Sequence, residues 1–380
     1  MIDSATFSIG GRKFQVDPER GFLPNPDPIL ELLPQYSKWD RLGAETPALL
    51  HNRNFRQAVK ELPEIDSSAL RDGPELDRAM LLLSMFANAY VWDGYEPSTT
   101  IPSPLAVPLC QVAYRCGRPP IASHASIVLN NWRRIDPDGP IELENLATMQ
   151  NFLGGTDEDW FFLTTAAIEF AGAAAVRASV EGLIAASVGD NGEVGRALGR
   201  INEAVKDCLS ILDRIPEKCT PEVFYSQIRP FLAGWPEEGV IYEGISDEPK
   251  TFIGGSAAQS SLLQSIDAAL GICHTHIDSG PFLIEMRKYM PPKHRLFLEN
   301  LEEQTCLREY VKKTGSIELK EKLNESIGIV EKFRKNHMKI TAQYILEQAD
   351  NEEDISGTGG TEFVTFLSRT RADTCGSKIP

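Results

Sequence analysis

The stretch Phe333-Arg334-Lys335-Asn336-His337-Met338-Lys339-Ile340-Thr341 belongs to a longer periodic pattern that decides the fold class of this chain. The side chains of that pattern recur at steps of three or four residues: Leu319, Leu323, Ile327, Val330, Phe333, Thr341 and Tyr344. This spacing is the period of one helical face, so it predicts a helix over 317–347. Similar patterns cover most of the chain and strand patterns are nearly absent. The sequence therefore predicts an all-α fold.

His337 falls on this mainly apolar face, so its imidazole is expected to point into the interior. Arg334 lies one turn earlier and can reach the same place. An imidazole and a guanidinium that enter an apolar space together suit a buried, anionic, metal-bearing cofactor. Haem fits this description, with iron for the imidazole and propionates for the guanidinium. On this segment alone, the alternative is an ordinary core histidine bonded to a backbone carbonyl.

The helical patterns outline the rest of the chain. Residues 157–188 form an Ala-rich pattern that Asp157 or Asp159 could cap, and the small side chains allow close packing by a partner helix. Further helices are predicted near 53–62, 75–92, 120–134, 190–215, 221–233, 257–273, 280–289, 292–301, 305–313 and 361–371. The Pro-rich segments 1–50 and 97–109 are expected to be irregular. We expect two helical domains, 1–150 and 151–380, with the cofactor in the larger C-terminal one at the domain seam.

Composition excludes several classes of function. The chain has 380 residues and a net charge of −16, and such a surface repels nucleic-acid backbones. The most apolar stretch, 161–176, contains polar residues and is too short for a membrane span, so it predicts a buried helix. Seven cysteines without a CxxC pair indicate reduced thiols and a cytoplasmic protein. No nucleic-acid, membrane or obligatory protein partner is predicted.

Two segments offer side chains for a ligand. Phe161 and Thr165 are four residues apart and share a helical face, which offers one aromatic ring and one hydroxyl, although simple helix packing is the alternative. Phe224 and Arg229 lie on adjoining faces of a second helix. An Arg on an apolar helix needs an anionic partner, which is either a protein carboxylate or the carboxylate of a ligand.

Two glycine-rich segments add backbone that can approach a ligand closely. Gly254-Gly255-Ser256 precedes a helix but lacks the spacing of a nucleotide-binding loop, so it suits the edge of a flat cofactor equally well. Asp267 follows and can orient Arg334. Gly357-Thr358-Gly359-Gly360-Thr361 either closes over a ligand or is a flexible connection.

These segments, with several others, resemble the indoleamine 2,3-dioxygenases, which are haem enzymes. The matching motifs extend over most of the chain: Arg20–Pro24, Pro119–Ile121, Leu129–Trp132, Phe161–Leu163, Arg229 with Gly234–Trp235, Tyr242–Gly244, Gly254–Ala257, Tyr289–Arg295, His337, Tyr344–Ile345 and Gly357–Thr361. The resemblance implies haem b as the cofactor, with His337 as the proximal iron ligand and metal-binding residue. It also implies that Arg334 pairs with a propionate, with Asp267 behind it.

The resemblance further assigns substrate contacts. Two rings, Phe161 and Phe224, are expected around the indole, and Arg229 is expected to bind the substrate carboxylate. Thr358 matches a loop hydroxyl that meets the amino-acid portion of the substrate. Ser256 and Ala257 match a linker that passes over the haem and borders both ligands.

Four positions bear on substrate preference. Thr165 stands where the family carries Ser, so the hydroxyl persists with an added methyl group. His124 stands where the best-known relatives have Tyr. It either contacts the indole N–H, as a His does in the related tryptophan 2,3-dioxygenases, or is a polar variation behind the pocket wall. Ile127 and Val128 of the same segment are expected at the substrate pocket.

The activity that the resemblance implies is insertion of both atoms of O2 across the indole C2–C3 bond. The substrate is then L-tryptophan or a related indole, and the product is of the N-formylkynurenine type. Two alternatives remain open at this stage. One is a different reaction on an indole, as in the pyrrole-forming members of the superfamily, and the other is a haem-binding or haem-sensing protein with little catalysis.

Overall fold

The computed structural model of the chain describes residues 14–274, 279–349 and 363–380, and these residues are mainly helical. The α-helices are α1 Ser37–His51, α2 Phe55–Lys60, α3 Pro74–Trp92, α4 Ser103–Cys116, α5 Thr156–Val188, α6 Asn191–Leu212, α7 Pro221–Val223, α8 Arg229–Leu232, α9 Ser261–Leu270, α10 Ser279–Met286, α11 Pro292–Glu302, α12 Leu307–Thr314, α13 Ile317–Thr341 and α14 Phe363–Gly376. Turns of π-helix span Ala125–Leu129, Phe224–Ile228 and Ala342–Leu346. The predicted all-α fold is confirmed.

The long helix α5 begins at a buried carboxylate. Glu158, in its first turn, accepts the backbone N–H groups of Phe152, Leu153 and Gly154 at 2.6, 2.9 and 2.7 Å. These bonds satisfy a loop that folds back on the helix start, where unpaired N–H groups and the helix dipole favour a carboxylate. The loop and the first turns of α5 are thereby held in one register.

The cap predicted for α5 is wrong. Gly155 occupies the position before the helix and gives no side-chain cap. Asp157 instead accepts the backbone N–H of Thr220 at 2.6 Å, and Asp159 accepts from the amide of Asn151 at 2.7 Å. Both carboxylates thus tie neighbouring loops to α5 instead of capping it.

Small residues let α5 pack closely against α6 and α9, as the Ala-rich pattern predicts. A Cβ atom at Gly172 would lie 2.3 Å from a methyl group of Leu262 in α9, so that contact requires a glycine. Within the described residues, α5 is also long and apolar enough to cross a membrane by length and composition alone. Most of the apolar stretch of α5 is buried inside the protein, as in the core helix of a globular fold.

Helix α13 is the second long element, and it packs against α6 and α14. Ser316 caps its start by accepting the N–H of Leu319. Six of the seven members of the predicted apolar face are buried, namely Leu319, Leu323, Ile327, Val330, Phe333 and Tyr344, whereas Thr341 is half-buried. Beyond Thr341 the helix continues as the π-turn, which carries Tyr344.

Two segments predicted to be irregular are helical. Helix α1 overlaps 1–50 and contains Pro47, and α4 overlaps 97–109 and contains Pro108. Pro47 cannot donate to the carbonyl of Gly43 four residues earlier. The side-chain amide of Gln150, which is distant in sequence, donates to that carbonyl at 3.1 Å instead. A tertiary contact therefore offsets the local defect.

Short strands complete the fold: β1 Thr100–Ile101, β2 Arg133–Arg134, β3 Leu146–Ala147, β4 Val240–Tyr242 and β5 Ser246–Lys250. Strand β4 pairs in parallel with β1 and antiparallel with β5, and β2 pairs antiparallel with β3. The β1–β4 pair joins chain from either side of residue 150. A division into domains at that residue stays a prediction.

The buried His294 of α11 predicts a pH-dependent stability. Its Nε2 lies 3.2 Å from the carbonyl of Gln15, its ring lies against Phe22, and burial lowers its pKa to about 4. The unfolded chain therefore binds a proton that the folded chain excludes, so stability is lost as pH falls from about 6.5 towards 4. This loss is at most about 3 kcal/mol.

Urea unfolding of wild type and His294→Gln across this pH range measures the effect. The Gln side chain can still donate to the Gln15 carbonyl but does not titrate. We expect a shallower pH slope for the variant. Equal slopes in the two proteins would contradict the assignment.

Candidate functional site

A cavity of about 260 Å³ lies among α5, α9, α13, α14 and the segment that precedes α9. Eight residues predicted for the ligand site line this one cavity: Phe161, Phe224, Arg229, Ser256, Ala257, Asp267, Arg334 and His337. They come from five separate parts of the chain. The tertiary structure thus brings together side chains that the sequence places up to 176 positions apart, from Phe161 to His337.

One wall of the cavity is aromatic. The rings of Phe161 and Phe224 have centroids 4.7 Å apart, and Phe224 meets Tyr344 edge-to-face at 5.8 Å. The hydroxyl of Tyr344 donates to the carbonyl of Cys219 at 2.5 Å, which joins the end of α13 to the loop before α7. Because each ring is braced by another, the wall is preorganised for a flat apolar ligand.

His337 reaches the cavity from α13, together with Phe333, Ile340 and Thr341. Its side chain is half-buried. Removal from solvent, assisted by the positive charge of Arg334, lowers the pKa of His337 to about 4. The imidazole is therefore neutral at physiological pH and has a nitrogen lone pair available for a metal.

Arg334 is the centre of a buried polar cluster at another side of the cavity. Its guanidinium donates to Asp267 at 2.5 Å and to the hydroxyl of Thr374 at 2.7 Å. His274 lies 3.1 Å from the same Asp267 oxygen and 3.4 Å from Asp373. Burial alone would raise the pKa of Asp267, but Arg334 and His274 hold it below its ordinary value. The predicted Arg334–Asp267 contact is present.

Arg229 lines the cavity near the aromatic wall. Its guanidinium lies over the ring of Tyr225, 5.1 Å from the ring centroid. It follows the π-turn that carries Phe224. The π-turn widens the helix by one residue, which brings Phe224 and Arg229 to the same cavity although they are five residues apart.

Gly254 is required by close backbone contact within the protein. A Cβ at Gly254 would lie 2.2 Å from the carbonyl oxygen of Leu232, and the N–H of Gly255 donates to that same oxygen at 2.9 Å. Ser256 follows with a capping box that it shares with Gln259. The absence of a side chain at the glycines thus allows this segment to pack closely against α8. The residues that follow, Ser256 and Ala257, line the cavity.

Several predicted residues do not line the cavity. Thr165 donates its hydroxyl to the carbonyl of Phe161 at 2.9 Å, within its own helix. His124 is buried against Glu169, and Ile127 and Val128 are buried in the core. Ile127 still lies behind the cavity wall, since its Cδ1 would be 2.9 Å from a Cβ at Gly255. The 357–361 loop with Thr358 lies outside the described residues.

The structure adds lining residues that the sequence did not single out. They are Ile215, Leu232, Ala258, Ser260, Leu263, Gln264, Phe282, Leu283, Phe366, Leu367 and Thr370. The cavity is also lined by residues of the patterns named in the sequence, although no ligand contact was predicted for them: Gly255, Phe333, Ile340, Thr341, Tyr344 and Ile345. The helical period places Ile340, Thr341 and Tyr344 within two turns of His337, so the sequence pattern could have predicted that they lie near it. The α14 and α10 residues carry no such signal, because their approach is a tertiary contact.

The described residues offer no cluster of three or more His, Cys, Asp or Glu side chains that could hold a metal ion. The single neutral imidazole therefore suits a metal whose remaining ligands come from a cofactor rather than from the protein. Apolar and aromatic walls around it suit a flat macrocycle.

The chain is similar to known proteins over most of its length. The family model described as indoleamine 2,3-dioxygenase matches residues 11–377. Indoleamine 2,3-dioxygenase 1 of Mus musculus is 36% identical, over 94% of this chain and 93% of its own length. Indoleamine 2,3-dioxygenase of Saccharomyces cerevisiae is 33% identical, over 95% and 92%. A protein of Haliotis madaka named myoglobin is 32% identical, over 95% and 97%.

These matches extend over nearly the whole chain. The chain belongs to the indoleamine 2,3-dioxygenase family.

Proposed function

We propose that this protein is a haem b enzyme that inserts both atoms of O2 across the C2–C3 bond of L-tryptophan or a related indole. Family membership supports the dioxygenase reaction itself. The observation that carries the finer proposal is that the neutral imidazole of His337 and the Phe161–Phe224 pair open onto the same cavity. A metal ligand and an indole-sized aromatic wall are thereby within reach of one another.

The residues present fit a haem. His337 would bind the iron through its neutral imidazole. Arg334 would attract a propionate, and Asp267 would hold its guanidinium in place. When bound, the haem supplies the iron chemistry that activates dioxygen.

The chain itself binds and orients the substrate in this proposal. Phe161 and Phe224 hold the indole ring by stacking and edge contacts. Arg229, at the same wall, binds the α-carboxylate. The apolar lining excludes water, and a fixed geometry between reactants lowers the barrier by reducing the entropy lost at the transition state.

Two other functions remain as competing candidates. The relative named myoglobin favours a protein that carries haem with little turnover. A pyrrole-forming reaction is the second. Anaerobic reduction of the haem-loaded protein, addition of tryptophan and then admission of air separate the three candidates. A product with two added oxygen atoms supports the proposal, whereas unchanged tryptophan or a product of another mass contradicts it.

We also propose a cytoplasmic location. All seven cysteines are unpaired in the structure, which suits a reducing compartment.

His337→Ala is expected to lower haem affinity by more than about tenfold, because a direct ligand contributes at least as much as the outer contacts of a metal site. Haem titration followed at the Soret band measures the change. Lys335→Ala, an exposed neighbour on α13, is the matched control and should bind haem as wild type does. A full Soret band with unchanged ligation in His337→Ala would refute the assignment.

Arg229→Ala is expected to raise the KM for tryptophan by about 10- to 150-fold, the equivalent of one charge-assisted hydrogen bond. The KM for tryptamine, which lacks the carboxylate, should change far less. Arg200→Ala is the control, because Arg200 pairs with Glu181 and Glu193 on the surface. Equal effects of Arg229→Ala on both substrates would remove the carboxylate contact from the proposal.

A further inference from the structure

The segment 254–260, here called the linker, borders the cavity and is held from behind by buried groups. The side-chain amide of Gln259 accepts the backbone N–H of His124 at 3.0 Å and donates to the carbonyl of Gly254 at 2.8 Å. The side-chain oxygen of Gln259, Oε1, also accepts the N–H of Ser256 at 3.3 Å. One buried side chain thus bridges both ends of the linker to the chain segment that contains His124.

A second buried group holds the end of the linker. Glu169 of α5 accepts a hydrogen bond from Nε2 of His124 at 2.8 Å and another from the hydroxyl of Ser260. Both bonds reach the same carboxylate oxygen, Oε1. The hydroxyl of Ser260 in turn accepts the N–H of Leu262 at 3.1 Å and so caps α9. His124, Glu169 and Ser260 form what we call the anchor.

The anchor adjoins the cavity, since Ser260 lines it while His124 and Glu169 do not. Phe161, Thr165 and Glu169 follow one another at steps of four residues, so they share one face of α5. Phe161, on the same face of α5 as Glu169, lines the cavity. Ser260, which is bonded to Glu169, lines it as well. A change in the anchor therefore moves the linker, including Ser256 and Ala257, relative to the aromatic wall.

Stability alone does not explain the anchor. His124 and Glu169 are 4% and 3% exposed, and Oε2 of Glu169 has no hydrogen-bond partner among the described residues. A buried carboxylate with an unsatisfied oxygen destabilises a fold, and apolar residues of similar volume are often more stable. Glu169 accepts hydrogen bonds from His124 and from Ser260, which belong to two separate segments, and an apolar side chain could not supply these bonds.

We propose that His124 and Glu169 are positioning residues that set the linker, through Ser260 and Gln259, at the distance from the aromatic wall that ligand binding requires. The proposal rests on the proposed function for the identity of the ligands. His124 acts in it without touching substrate, because its Nε2 is bonded to Glu169 and its side chain does not line the cavity.

Three variants test the anchor. Ser260→Ala removes one donor without altering charge. Glu169→Leu removes both bonds at Oε1. Glu169→Gln keeps an oxygen at that position, so Ser260 and the Nε2–H tautomer of His124 can still donate to it. The matched control is Ser123→Ala, since the buried hydroxyl of Ser123 has no partner in the described residues and no part in the anchor.

The expected result is a split between binding and turnover. For Ser260→Ala and Glu169→Leu, the tryptophan Kd from spectral titration of the ferric haem protein and the KM should rise about tenfold, the equivalent of one hydrogen bond. The kcat should change by less than about twofold, because uniform binding is what is lost. Glu169→Gln and Ser123→Ala should match wild type within about twofold.

Two results would overturn the proposal. One is a lower melting temperature in Ser260→Ala and Glu169→Leu with unchanged tryptophan Kd, which would make the anchor merely structural. The other is an equal loss of binding in Glu169→Gln and Glu169→Leu, which would mean that charge and not hydrogen bonding matters. If Glu169→Leu does not fold, Ser260→Ala decides.

Failure of the proposed function is distinguishable from failure of the anchor. If wild type binds haem but not tryptophan, the proposed substrate is wrong. The anchor is then tested by the rate of haem dissociation into a haem-scavenging protein. That rate should rise about tenfold in Ser260→Ala and stay unchanged in Ser123→Ala and Glu169→Gln. Equal dissociation rates in wild type, Ser260→Ala, Ser123→Ala and Glu169→Gln would overturn the proposal that the anchor positions the linker.

Discussion

The buried ion pair between Arg334 and Asp267 holds together the helices that enclose the cavity. Arg334 comes from α13 and Asp267 from α9, and the second bond of the guanidinium reaches Thr374 of α14. Breaking such a pair by removing one partner costs about 3–5 kcal/mol, because the other charge stays buried. The two bonds of Arg334 therefore link three helices, and His337, one turn further along α13, lines the cavity.

This constraint explains why polar groups are concentrated on particular walls of the cavity. The wall formed by Phe161, Phe224 and Tyr344 is aromatic, and its rings are braced by one another. Arg334 lies at one side of the cavity in an ion pair with Asp267, and Arg229 lies near the aromatic wall. The linker lies between them and is shaped by glycines on one side and by the anchor on the other. Contacts within the protein thus already order much of the cavity lining, and such preorganisation lowers the entropy that a ligand loses on binding.

Sequence patterns predicted the long helices well, because their signals are local. The apolar period of α13 and the small residues of α5 each specify a helix and the face that it buries. The predictions failed where a tertiary contact offsets a local defect. Pro47 indicates an irregular segment, yet α1 continues through it because Gln150 satisfies the carbonyl that proline leaves free. The cap of α5 failed for a related reason, since Asp157 and Asp159 serve neighbouring loops.

For the site, the sequence by itself determined the types of group available: an imidazole on an apolar helical face, a guanidinium one turn away, aromatic residues and a glycine pair before a helix. These follow from residue identity and helical period, which need no long-range information. Only the tertiary structure decided which of them meet. It brought Phe161, Arg229 and His337 to one cavity. It also placed His124 against Glu169, behind the cavity wall. Both outcomes depend on how α5, α9 and α13 pack, and packing is set by contacts between residues far apart in the chain.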